Sequence, residues 1–89
     1  MTSSRRDPSI RWKYVGHCVE GERLEIEGVN VWSEKWRSVP GLLAEVRDPQ
    51  YGQDFRFAVY EIPKGNTILR FAAGEFSVNV FGFYVPEPG

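Results

Sequence analysis

Cysteine and histidine occur once each, as the neighbours His17 and Cys18, in a chain of 89 residues. One cysteine cannot form an intramolecular disulfide, and a small domain without one belongs in a reducing compartment, so the cytoplasm is the expected location. Two such residues also fall short of the ligand set of a zinc site. On a strand they would point to opposite faces, whereas a thiolate–imidazole couple needs its side chains within about 3 Å of each other. Cys18 is therefore read as a small apolar core residue. Charge of one sign is lacking as well: 11 Lys and Arg stand against 12 Asp and Glu, interspersed, for a net charge of −1. No long-range field is available to draw in nucleic acid or acidic lipid. Nothing approaches the ~18 consecutive apolar residues of a membrane span, and the polar start, Met1 to Ser9, has no apolar stretch behind it. Neither membrane insertion nor an ordinary secretion signal is expected.

Chemical signatures are equally sparse. The chain has no GxGxxG, no GxxxxGK[ST] and no GxSxG, so the usual marks of nucleotide binding and triad hydrolysis are missing. Glu45, Asp48 and Asp54 cluster around one turn without the regular spacing of a calcium loop. Glu45 and Glu75 have the most apolar neighbours, and burial would raise their pKa values, but pairing with arginine is the simpler reading. No catalytic residue, metal or cofactor is assigned.

Aromatic residues and chain breakers are what the sequence has in quantity. Phe, Tyr and Trp make up 15% of it, a large supply of buried area for a domain with one modest core. The longest stretch free of Gly and Pro is residues 29–39. One helix could fit there, whereas turns at this spacing suit many short strands. The expected fold is all-β: a single small antiparallel barrel or sandwich of five to seven short strands, with at most one short helix near residues 32–38. Residues 1–9 and 86–89 read as tails around one β-rich domain, 10–85.

Strand candidates follow from period-two alternation. Arg11 to Val19 places Trp12, Tyr14, Gly16 and Cys18 on one side. Glu22 to Trp32 needs a parity change at Gly28 to keep Val29 and Val31 inward, so a bulge or bend is expected there. Trp32 to Trp36 is either a short turn capped by Ser33 or a loop that brings two indoles together. Leu42 to Arg47 is a short strand closed by Asp48-Pro49-Gln50-Tyr51-Gly52. Residues 54–73 form a hairpin; pairing Glu61 with Thr67 sets Val59 against Leu69 and Phe57 against Phe71. Gly82 lacks a side chain, so an aromatic ring or backbone is expected close above it.

In that register Arg70 lies opposite Ala58 with Arg56 on the diagonal, so Arg56, Tyr60 and Arg70 would share one sheet face. Two guanidiniums beside a phenol could seat a carboxylate, a phosphate or a partner's acidic loop. Trp32 and Trp36, beside charged residues, are candidates for partly exposed rings at a binding surface. The functional expectation is a small non-enzymatic binding module that engages another protein, as immunity or adaptor proteins do. Binding of single-stranded nucleic acid or a small anion through the same rings and arginines is the alternative, a small enzyme using carboxylates such as Glu45 or Glu75 in a barrel mouth ranks third, and a homodimer through a free sheet edge is a further option.

Overall fold

The computed structural model describes residues 10–88, so the expected N-terminal tail, 1–9, lies outside the described residues. Seven strands and one short turn of 3-10 helix account for the regular structure: β1 (Trp12–Val19), β2 (Glu25–Ile26), β3 (Val29–Asn30), the 3-10 turn Val31–Ser33, β4 (Arg37–Arg47), β5 (Asp54–Lys64), β6 (Thr67–Ser77) and β7 (Val80–Pro86). Five strands form one antiparallel sheet in the order β1-β7-β6-β5-β4, and β2 pairs only with β3. The fold is all-β. Among the described residues no helix is long and apolar enough to cross a membrane.

The sheet is curled rather than flat. Tyr84, on β7, donates its hydroxyl to the backbone carbonyl of Arg47 at the end of β4, 2.6 Å away. Three strand spacings separate them in the sheet, about 14 Å if it were flat, which is beyond a tyrosine's reach. The concave face therefore closes on itself and encloses Ala44, Val46, Phe57, Val59, Ala72 and Tyr84. The convex face is covered by the excursion between β1 and β4, whose Leu24, Ile26, Val29 and Val31 pack with Cys18, Ile62, Leu69, Phe71 and Phe83. Both faces are thus buried over the middle of the sheet.

Several local features depart from the sequence reading. Gly28 does not bulge a continuous strand. It closes a two-residue turn, Glu27 and Gly28 at φ 52° and 82°, between the paired Ile26 and Val29. Two consecutive positive φ values belong to the type I′ turn that suits hairpin twist. β4 begins at Arg37, five residues before the expected Leu42, because an irregularity between Ser38 and Leu43 absorbs Pro40 and Gly41. A bulge at Val15 divides β1, so Trp12 and Tyr14 face the concave side while Gly16 and Cys18 face the convex side. Pairing continues through Pro86 opposite Trp12, and the Glu87 amide donates to the Arg11 carbonyl at 2.8 Å, so residues 86 and 87 are not a loose tail.

The hairpin register differs by three residues from the expected one. Lys64 pairs with Thr67 across Gly65-Asn66, which puts Glu61 opposite Arg70, Tyr60 opposite Phe71 and Val59 opposite Ala72. Gly65 has φ 60°, the conformation that a type II′ turn requires at its first central position. Because three is odd, the shift also exchanges which face of β6 goes with which face of β5.

Candidate functional site

The aromatic candidates meet on the convex face. The 3-10 turn carries Trp32, and Trp36 follows just before β4; their ring centroids are 5.1 Å apart. Trp36 stands 5.0 Å from both Tyr60 and Phe71, and Trp32 stacks edge-on against Phe81 and Phe83. Each indole N–H is used internally: Trp36 donates to the Val31 carbonyl at 2.7 Å and Trp32 to the Cys18 sulfur at 3.3 Å. Ser33 does not cap the turn; its hydroxyl donates to the Asn30 carbonyl. Trp32, Trp36 and Tyr60 are all half-buried and form a cap over Phe71 and Phe83.

The arginine candidates are separated. Arg56 shares the convex side of β5 with Ala58 and Tyr60, is largely exposed, and lies 3.9 Å from Glu45, a loose pair. Arg70 points to the concave side, since it pairs with Glu61 and lies two residues from Ala72 on the same face of β6. The expected face shared by Arg56, Tyr60 and Arg70 is therefore split by the register.

A different arginine takes Arg56's place beside Arg70. Arg37 pairs with Glu61 at the start of β4, so Arg37, Glu61 and Arg70 stand in a row across β4, β5 and β6. Arg70 donates through Nε and Nη2 to Glu61 Oε2 at 3.0 and 2.6 Å, and Arg37 donates through Nη2 to Oε1 at 3.1 Å. Glu61 is only 13% exposed, against 58% for Arg37 and 41% for Arg70. Hydrogen bonds from Arg70, then from Arg37, hold the Glu61 carboxyl below the usual carboxylate range. The row carries two positive charges and one negative, and each guanidinium keeps unused N–H donors. Further along the same face, toward the hairpin turn, Pro63 is exposed opposite Ile68, and Ile68 is 55% exposed. The row and this apolar pair form one rim of the concave face.

Arg37 and Glu61 were not among the residues expected at a site. The two-residue spacing of Gly65-Asn66 between strand residues was the signal for Glu61, because that turn alone places opposite charges at 61 and 70. Arg37 was hidden by Pro40-Gly41, which reads as a strand boundary.

Other polar groups support the fold. Asp48, buried, accepts the Gln50 amide and so closes the turn after β4, and Arg47 grips Asp54 at 2.8 Å and lowers its pKa. Glu75 accepts the Asn79 amide. His17 faces away from Cys18 and hydrogen-bonds the Tyr14 hydroxyl through Nδ1. Burial, with the charge of Asp48 and then Tyr14 behind it, pushes the Tyr84 phenol up to about 12. Among the described residues no three His, Cys, Asp or Glu side chains converge as metal ligands would. No protein-family model, curated protein or solved structure matches the chain.

Proposed function

We propose that this chain is a small non-enzymatic module of the cytoplasm that binds another protein through the concave rim of Arg37, Glu61, Arg70, Pro63 and Ile68. The observation that carries the reading is the row in which two arginines share one carboxylate beside an exposed isoleucine. Arginine is enriched at protein interfaces, where its planar head makes several hydrogen bonds and its stem covers apolar surface. Glu61 pre-orients both heads, so less side-chain entropy remains to be lost on association.

The alternative, single-stranded nucleic acid, needs exposed rings on which bases can stack. Trp32, Trp36 and Tyr60 turn their contacts inward, and the indole N–H groups are already satisfied. That disposition favours the protein reading.

Affinity capture from the native host's lysate tests it, with nuclease-treated and untreated samples at low and moderate salt. A stoichiometric, nuclease-resistant protein that is retained by the wild type and by Arg56→Ala, but lost by the double variant Arg37→Ala/Arg70→Ala, is the expected result. Retained nucleic acid that disappears at moderate salt overturns the reading, as does capture indifferent to the double variant.

A further inference from the structure

The rim also indicates which chemical group a partner presents. We infer that Arg37 and Arg70 take a side-chain carboxylate from an acidic, partly apolar peptide segment of the partner; the inference rests on the protein-binding reading above.

Charge matching is the first argument. Two guanidiniums and one carboxylate leave the row at +1, which a single carboxylate neutralises. A phosphate, at about −1.5 to −2, would overshoot and be repelled by Glu61 more strongly than a single carboxylate is. The donors fit the same group. Arg37 spends one of its five N–H bonds on Glu61 and Arg70 spends two, and a planar guanidinium edge offers paired donors to a planar carboxylate.

The apolar neighbours are the second argument. Ile68 precedes Arg70 by two residues on β6 and therefore shares its face, with Pro63 directly across. An extended peptide carries side chains of like orientation two residues apart, so one strand-like segment can set an acid on the guanidiniums and a leucine or similar residue against Ile68. Inorganic anions and nucleic-acid backbones have nothing to place there. An internal segment, rather than a chain end, is the better source, since a side-chain carboxylate projects on the same face as the apolar residue two positions away whereas a terminal α-carboxylate lies along the strand axis.

The test is a titration of the full chain, followed by NMR of the arginine Nε–Hε signals. The probe is an N-acetylated, C-amidated peptide of the repeat Glu-Ser-Leu-Ser, which sets Glu and Leu two residues apart on one face of an extended chain and carries no free α-carboxylate. The controls are its Gln–Leu counterpart, the same Gln–Leu peptide with a free C-terminus, inorganic phosphate and an oligothymidylate. The expected result is a saturable shift of the Arg37 and Arg70 signals with the Glu–Leu peptide alone. Affinity should fall about tenfold in Arg37→Ala and stay unchanged in Arg56→Ala. Glu61→Gln supplies an outcome that damage to the fold cannot mimic: its amide oxygen can still receive Arg70 and keep that head oriented, while the loss of one negative charge raises the row to +2 and should tighten the acidic peptide several-fold. Absence of a shift, an equal response to Gln–Leu, preference for the free C-terminus, phosphate or oligothymidylate, or weaker binding by a folded Glu61→Gln overturns the inference. If capture still depends on Arg37 and Arg70 while the Glu–Leu peptide fails, only the carboxylate assignment falls; if capture ignores the two arginines, the protein-binding reading falls with it.

Discussion

Two glycines and one tyrosine hold the concave interior in shape. Gly74 and Gly82 face each other across β6 and β7, with the ring of Phe57 lying over the first and that of Phe76 over the second, inside the contact distance of any added methyl group. Gly82→Ala should therefore cost about 1–3 kcal/mol through overpacking. Urea unfolding reads the loss, and adding Phe76→Leu should recover part of it, because neighbours that clash do not act additively. The expected ring above Gly82 is thus Phe76, a contact legible in the sequence because a bare strand position surrounded by aromatics leaves a groove to fill. Tyr84 is 2% exposed and joins β7 to β4 through its hydroxyl. Tyr84→Phe keeps the ring but leaves the Arg47 carbonyl without its partner, for an expected loss of about 1–2 kcal/mol in the same measurement.

Among the elements, turns carried more of the fold than alternation did. The position of the hairpin, expected at 54–73 and observed over 54–77, is plain from its turn residues and aromatic strands, but the hydrophobic pattern could not decide its register. Phe57 and Val59 are buried on the concave side while Ile62, Leu69, Phe71 and Ala73 are buried on the convex side. When both faces of a strand are apolar, period two loses its power to select a parity. The two-residue turn retains that information, and with it the meeting of Glu61 and Arg70. For the same reason the candidate site was only half legible: Arg70 stood in the sequence reading, but its true neighbours depend on long-range pairing that Pro40-Gly41 and the register concealed. The β2–β3 turn offers a test of turn chemistry. Glu27 occupies a positive-φ position ahead of Gly28, where asparagine is favoured, so Glu27→Asn should raise stability by about 0.5 kcal/mol in thermal unfolding.

For the molecule as a whole, ionisation defines the pH range of stability. Tyr84 titrates near 10 when unfolded and near 12 when folded. The folded chain holds this proton more tightly, so its contribution is complete below pH 10 and lost as pH rises toward 12. At the acid end the signs reverse. Glu61 and Asp54 lie below their ordinary values of 4.5 and 3.8, so their pairings contribute fully above those values and fade as pH falls through the lower folded ones. Melting temperatures followed by circular dichroism should form a plateau between these limits. Glu61→Gln should flatten the acid shoulder, and Tyr84→Phe should flatten part of the alkaline one.

The order β1-β7-β6-β5-β4 seats the earliest strand of the sheet beside the last. β4 to β7 can zip up in succession as a meander, each strand meeting the one just made, but β1 has no ladder to join until Val80–Pro86 has left the ribosome. Its Trp12, Tyr14 and Cys18 must wait through the synthesis of the intervening strands, and the final closure spans nearly the whole described chain. Such a distant pairing is expected to make folding slow for a domain of this size, on the order of milliseconds to seconds. A nascent chain halted after Ser77 would display β1 as an adhesive strand without a neighbour.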